Sequence, residues 1–219
     1  MKPWLYLKAT ELIAQRPEGA DEDVHYPEAL VEAVLEEFTG PGDLVLDPFA
    51  GFGTTLVVAE RMGRRAIGVE LLDERVDLIR GRLSGGDDVR VVQGDARNLS
   101  ALVDGPIDLC MTSPPYMTAT DHPENPLTAY ETLDGDYVTY LAEIGDVFRQ
   151  VAGLLRPGGH AVVNVANLED DGYITPLAWD MGRVLCRHLV LRSETFLCWD
   201  ALLPGLSGDY CLTYEKPPG

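Results

Sequence analysis

Two carboxylates in the first half of the chain stand where short apolar runs end. Asp47 follows one apolar run and opens a turn that contains Gly51 and Gly53, while Glu70 closes the next apolar run. A helix predicted to begin at Thr54 would direct its free backbone N–H groups and the positive end of its dipole at an approaching ligand. These residue types predict a binding turn for a small molecule that carries both cationic and anionic groups.

The chemistry of this turn favours S-adenosyl-L-methionine over a dinucleotide. A dinucleotide fingerprint reads Gly-x-Gly-x-x-Gly, but Leu56 stands at its third glycine position and Asp47 would repel a pyrophosphate. Asp47 suits an ammonium group instead, and Glu70 can accept hydrogen bonds from both hydroxyls of a ribose. An ordinary strand-to-helix turn is the structural alternative.

A second chemical signal is the sequence Ser113-Pro114-Pro115-Tyr116 at the end of an apolar run. Pro115 has no N–H and holds Pro114 extended, so the Pro114 carbonyl is expected to lack a ladder partner. With the Ser113 hydroxyl it could accept both N–H bonds of an exocyclic amine, while Tyr116 stacks on the ring, which is worth about 1–3 kcal/mol. A rigid turn without chemistry is the alternative.

Such a slot would act by position and electrostatics. The two acceptors turn the nitrogen lone pair toward a donor methyl group, and no covalent nucleophile is required. A base in a duplex would first have to be flipped out. A ring-carbon methyltransferase needs a thiolate after a proline, and no Pro-Cys pair is present, which sets that chemistry aside.

Alternating strand and helix patterns predict an α/β fold with a mostly parallel sheet and an antiparallel final pair of strands. Ligands of such sheets lie beyond the carboxyl ends of the strands, where Asp47, Glu70, Asp95 and Ser113 are expected. The predicted strands are residues 44–46, 65–70, 88–93, 107–112, 160–165, 189–199 and 209–215, and the predicted helices are 26–38, 54–60, 73–83, 137–155 and 174–188.

Composition is that of one globular domain: 219 residues, with 46% hydrophobic residues. Residues 1–24 are expected to be an arm that includes the solvated acidic run 18–23. No stretch is long enough for a transmembrane helix, so a cytoplasmic protein is expected. The four cysteines and four histidines lack ligand spacing, which argues against zinc, and the cysteines, Cys110, Cys186, Cys198 and Cys211, are expected in the core.

The net charge of -19 weighs against a broad nucleic-acid surface. A nucleic-acid contact would have to be local or supplied by a partner protein. Oligomeric state is left open.

Together, residues 47–55 and 113–116 resemble the amino-methylating DNA methyltransferases, which modify the 4-amino group of cytosine or the 6-amino group of adenine. Further similarity lies in residues 25–30, 67–71, 155–159 and 209–214, so the resemblance covers the chain from His25 onward. It implies a Rossmann-like class I methyltransferase domain with a seven-stranded sheet whose last strand is antiparallel.

The resemblance also implies roles for individual residues. Asp47 and the glycine turn would hold the methionine part of the cofactor, Glu70 the ribose, and Asp95 the adenine amino group. The expected catalytic residues are Ser113, Pro114, Pro115 and Tyr116. The expected cofactor contacts are Tyr26, Asp47, Pro48, Phe49, Gly51, Gly53, Thr54, Thr55, Glu70, Leu71, Asp95, Ala96 and Ser113.

Three departures from the family pattern stand out. A lysine that often precedes Pro27 is missing, the motif order is circularly permuted relative to one common order, and no separate target-recognition segment is present. The candidate target loop, residues 117–136, carries five acidic residues and no Lys or Arg.

Ser113 in the first motif position is more typical of cytosine-directed members, so the 4-amino group of cytosine in DNA is the leading substrate. A transfer-RNA guanosine 2-amino methyltransferase, a small-molecule amine methyltransferase and a non-catalytic cofactor-binding subunit remain alternatives.

Overall fold

The computed structural model describes residues 1–18, 20, 26–119, 123–201 and 203–218. Its strands are β1 (Trp4–Leu7), β2 (Leu44–Asp47), β3 (Arg65–Glu70), β4 (Val89–Gln93), β5 (Ile107–Thr112), β6 (Leu155–Asp170), β7 (Tyr173–Thr175), β8 (Val190–Trp199) and β9 (Leu206–Glu215). Its helices are α1 (Ala9–Ala14), α2 (Glu28–Phe38), α3 (Thr54–Arg61), α4 (Asp73–Arg82), α5 (Leu99–Leu102), α6 (Tyr137–Leu154) and α7 (Leu177–Leu185), with 3₁₀ turns at Ala96–Asn98 and Pro126–Thr128.

One sheet runs through the described residues in the order β1-β8-β9-β6-β5-β2-β3-β4, and β7 pairs with β6 beside this path. The neighbours from β6 to β4 are parallel, while β9 is antiparallel to both β6 and β8. The prediction of a mostly parallel sheet with an antiparallel last strand is therefore confirmed.

The sheet has two strands beyond the seven predicted. Within the expected N-terminal arm, Trp4–Leu7 forms β1, which pairs in parallel with β8. The second addition is β7, whose Ile174 was assigned to a helix. Because Pro176 disfavours a helical conformation at the residue before it, α7 begins only at Leu177.

Apolar side chains on the two faces of the sheet form two buried clusters, which is the three-layer arrangement of an α/β fold. On β2, Leu46 belongs to the cluster under α6 and α7, while its neighbour Val45 belongs to the cluster under α2 and α3. The alternation follows from the two-residue period of a strand. It fixes which side chains of each strand pack under which pair of helices.

The cysteine prediction is half right. Cys110 and Cys211 are buried, but Cys198 is only partly buried and Cys186, just after α7, is exposed. In the described part of the chain no cluster of His, Cys, Asp and Glu has the makings of a metal site, and no helix is long and apolar enough to cross a membrane.

Candidate functional site

The carboxyl ends of β2, β3 and β5 meet at one edge of the sheet, where a cavity of about 880 Å³ opens. Of the expected cofactor contacts, the cavity is lined by Tyr26, Pro48, Phe49, Gly51, Thr54, Glu70, Leu71, Asp95, Ala96 and Ser113. The same cavity is lined by all four residues of the expected catalytic motif, Ser113, Pro114, Pro115 and Tyr116. The two motifs predicted from the sequence thus face one space.

Three of the expected cofactor contacts, Asp47, Gly53 and Thr55, lie behind the residues that line this cavity. The Asp47 carboxylate is 1% exposed, and its oxygens accept hydrogen bonds from the hydroxyls of Thr55 and Thr112 at 2.6 Å and of Tyr26 at 3.1 Å. Burial raises the pKa of Asp47. These hydrogen bonds tie the turn to β5 and to Tyr26.

The glycine turn is held in a backbone conformation that side chains rarely adopt. Gly51 and Gly53 have φ of 55° and 80°, and a Cβ on Gly53 would lie 2.9 Å from Ile79. The Gly51 amide donates a 2.8 Å hydrogen bond to one oxygen of Glu70. This hydrogen bond joins the turn to the end of β3 near the start of α3.

Glu70 is the acidic residue best placed to meet a ribose. Its side chain lines the cavity, its other oxygen accepts from the Leu72 amide at 3.0 Å, and burial raises its pKa while these backbone hydrogen bonds oppose the rise. A carboxylate has about four lone-pair sites, so acceptor capacity remains on both oxygens. Glu70, the glycine turn and the start of α3 fit a ligand with a ribose and an anionic end.

Asp95 also reaches the cavity, but its carboxylate is already engaged by Arg97. The guanidinium of Arg97 lies 2.7 Å from one oxygen of Asp95, and the Arg97 amide donates to the other oxygen at 2.8 Å. Arg97 also forms an ion pair with Glu143 of α6, at 3.2 Å. Asp95 is thus a fixed acceptor at the end of β4.

The Ser-Pro-Pro-Tyr segment forms a rigid wall of the cavity. Tyr140 donates a 2.8 Å hydrogen bond to the Pro115 carbonyl, and Tyr130 donates a 3.1 Å bond to the Tyr116 carbonyl. Within the described residues no donor meets the carbonyl of Pro114. The Ser113 hydroxyl lies 3.3 Å from that of Tyr116, and burial raises the pKa of Tyr116. Two acceptors and an aromatic ring therefore share one wall.

The residues that line the cavity and were missed from the sequence include Tyr130, Asn164, Trp199 and Asp209. The Asn164 amide and the Trp199 indole donate to opposite oxygens of Asp209, at 2.7 and 2.9 Å. Burial raises the pKa of Asp209 to about 6. Because β9 is antiparallel, Asp209 near its start lies at the edge where the parallel strands end, so a rule based on carboxyl ends overlooks it.

The candidate target loop contributes Tyr130 through an unusual backbone. Ala129 and Tyr130 both have positive φ, 53° and 63°, after the 3₁₀ turn that the Asn125 side chain caps. Non-glycine residues in this region store strain that the surrounding structure must hold. His25, the acidic run at 21–23 and Asp121 of the loop lie outside the described residues.

Comparison with known proteins finds a family match for the part of the chain that carries the glycine turn. Residues 13–81 match the N6_N4_Mtase family of DNA methylases. That range contains the glycine turn and Glu70 but not residues 113–116. A type II methyltransferase of Streptococcus pneumoniae, M2.DpnII, is 49% identical over 57 residues, which is 26% of this chain and 21% of that protein. The match thus spans about a fifth of the relative's length.

Solved structures resemble the whole domain. TrmN from Thermus thermophilus has a TM-score of 0.64 at 23% identity and covers 87% of this chain and 49% of its own. A geranyl diphosphate methyltransferase in complex with sinefungin has a TM-score of 0.61 at 14% identity and covers 87% and 77%. The family match and these folds support S-adenosyl-L-methionine as the cofactor. The chain has the class I S-adenosyl-L-methionine-dependent methyltransferase fold, and its first third matches the amino-methylating DNA methylases.

Proposed function

We propose that this protein transfers a methyl group from S-adenosyl-L-methionine to the exocyclic amino nitrogen of a nucleobase in a nucleic acid. The observation that carries the proposal is the shared cavity, lined on one side by Glu70 and the glycine turn and on the other by residues 113–116. A non-catalytic cofactor-binding subunit would have no need of residues 113–116.

Residues of this chain would prepare the amine for attack. The Ser113 hydroxyl and the Pro114 carbonyl accept its two N–H bonds, and the Tyr116 ring holds the base plane. The bound cofactor supplies an electrophilic methyl group. Glu70 and the glycine turn would hold this cofactor, and the two acceptors would direct the nitrogen lone pair toward its methyl group while one N–H proton leaves to solvent. Fixed acceptors in a shielded site are effective because they need no reorganisation during the reaction.

Two bases are candidates. Ser113 favours the 4-amino group of cytosine, and the match to DNA methylases favours DNA, whereas an acid that lines the same cavity without a cation partner among the described residues, Asp209, favours the 2-amino group of guanine. Adenine and small-molecule amines are weaker alternatives. The matched segment of the type II relative supports DNA as the nucleic acid. We also propose that residues 117–136 form the target loop of a single methyltransferase domain in the cytoplasm.

The proposal is tested by incubating the purified chain with radiolabelled methyl donor and separate pools of duplex DNA, single-stranded DNA and transfer RNA. Mass analysis of the released nucleosides then identifies the acceptor. Label on an exocyclic amine of a nucleoside is expected; label in no nucleoside would refute the proposal.

A variant pair ties the activity to the cavity. Ser113→Ala removes one of the two acceptors and should lower turnover about tenfold or more, since a hydrogen bond in such a site is worth about 1–3 kcal/mol. Ser100→Ala, on the exposed surface of α5, is the matched control and should retain wild-type turnover. Equal turnover in the two variants would count against Ser113.

A further inference from the structure

The cluster of Asn164, Asp209 and Trp199 takes no part in the methyl transfer step described so far. All three residues line the cavity that holds the Ser-Pro-Pro-Tyr wall. Thr112 pairs with Val163, so Asn164 stands one residue further along β6, level with Ser113. The cluster therefore borders the space where an acceptor ring would lie.

Asp209 is an acid without a cation. In the described part of the chain no Lys or Arg forms an ion pair with it; its oxygens accept from the Asn164 amide and the Trp199 indole. The negative charge of Asp209 adds to burial in raising the pKa values of its neighbours Tyr116 and Cys211. An ionised group surrounded by neutral donors alone is costly. Asp209 differs from the buried Asp47 because it lines the cavity, where a ligand can supply a further donor.

Two neutral donors leave acceptor capacity on this carboxylate. An ionised carboxylate offers about four lone-pair sites and donates nothing. The Asn164 and Trp199 bonds fill one site on each oxygen and fix the plane of the group. The Tyr210 backbone N–H also favours the ionised form of Asp209. Because Asp209 lines the cavity, its remaining acceptor capacity is available to a donor on the substrate.

We propose that Asp209, oriented by Asn164 and Trp199, is a specificity-determining residue that accepts a hydrogen bond from a ring N–H beside the amine that becomes methylated. This deepens the proposed function and rests on it. Guanine has that arrangement, since its 2-amino group adjoins N1–H. Cytosine and adenine present a bare ring nitrogen beside the amine, and its lone pair would face the carboxylate. The substrate class is therefore a guanine-type ring.

The test compares Asp209→Asn with wild type and with Asp180→Asn. Asp180 is a matched control, because it is a partly buried acid that accepts a hydrogen bond from Tyr137 outside the cavity. Each protein is incubated with labelled methyl donor and a mixture of duplex DNA and transfer RNA, and label is quantified separately in guanosine, cytidine and adenosine products. Cofactor affinity is measured by calorimetry.

Wild type should label the 2-amino group of guanine. Asp209→Asn should lower kcat/KM for that base by about 10- to 150-fold, the range for a hydrogen bond to a charged group, and raise the share of label in cytosine or adenine. Cofactor affinity should change less than about twofold, because the cofactor contacts lie elsewhere. Asp180→Asn should match wild type.

Trp199→Phe keeps a ring but removes the indole donor, so it should give an intermediate loss in kcat/KM for guanine even if Asp209→Asn folds poorly. Label confined to cytosine or adenine in wild type, or a base preference unchanged in both variants, would overturn this inference while leaving amino methylation intact. Label in no nucleoside would instead be the failure of the proposed function.

Discussion

Tyr116 is expected to act through its ring more than through its hydroxyl. Tyr116→Phe keeps the stacking face and should retain most activity. Tyr116→Ala loses a contact worth about 1–3 kcal/mol and should lower turnover about 5- to 150-fold, with cofactor affinity nearly unchanged. Single-turnover methyl transfer and calorimetry measure the two effects. Tyr173→Ala, at an exposed tyrosine on β7, is the control, and equal losses in Phe and Ala variants would contradict the stacking role.

Asp47 and Glu70 are expected to separate stability from cofactor binding. Asp47→Ala leaves three buried hydroxyls without their acceptor and should destabilise the fold by about 3 kcal/mol or more. Glu70→Ala removes the ribose acceptor and should weaken cofactor binding at least about tenfold. Urea unfolding and calorimetry give the two numbers. A Glu70→Ala variant that binds the cofactor normally would mean that the turn holds something else.

Asp209 should make stability depend on pH. Its pKa rises from 3.8 in the unfolded chain to about 6 in the fold, so the folded state binds more protons between these values and loses stability as pH increases. The free energy of unfolding of wild type, minus that of Asp209→Asn, should fall by on the order of 3 kcal/mol from pH 4 to pH 7. Urea titrations at four pH values measure it, and a flat difference would refute the shift.

At the scale of elements, the turn between β2 and α3 depends on Gly53. Gly53→Ala meets both a positive φ and a contact of 2.9 Å with Ile79, whereas Gly42→Ala meets the same kind of φ, 82°, with nothing within 4 Å. The control should cost about 1 kcal/mol of stability and Gly53→Ala about 2–4 kcal/mol, because overpacking adds to the backbone term. Thermal unfolding measures the loss of stability in the two variants. Equal losses would show that the Ile79 side chain moves to accept the added methyl group.

At the scale of the whole molecule, the charge of -19 limits how the protein meets a nucleic acid. Salt weakens binding in proportion to the number of phosphates that cations neutralise. The isolated chain should therefore bind duplex DNA and transfer RNA weakly, with a slope of log K against log salt shallower than about −3. Fluorescence anisotropy at several salt concentrations measures it. A steep slope would reveal a local basic surface and remove the need for a basic partner.

Local pattern was sufficient for most elements. The helical spacing of Leu30, Val31, Val34 and Leu35 predicted α2, and the run 65–70 gave the limits of β3, because each element buries one face whose period is visible along the chain. Such patterns failed for β1 and β7. Both strands are short. The first, β1, forms by pairing with β8, which is distant in sequence, and β7 pairs with β6 just before Pro176. Neither pairing leaves a periodic pattern in the sequence.

What the sequence determined by itself is the place of two motifs at strand ends, whose residue types predict a turn for the cofactor and a rigid pair of amine acceptors. Tertiary structure decided how the side chains are used. It buried Asp47 under three hydroxyls and brought Asn164, Trp199 and Asp209 to the same cavity from β6, β8 and β9. Hydrogen bonds between strands far apart in the chain depend on register and burial, which local pattern does not encode.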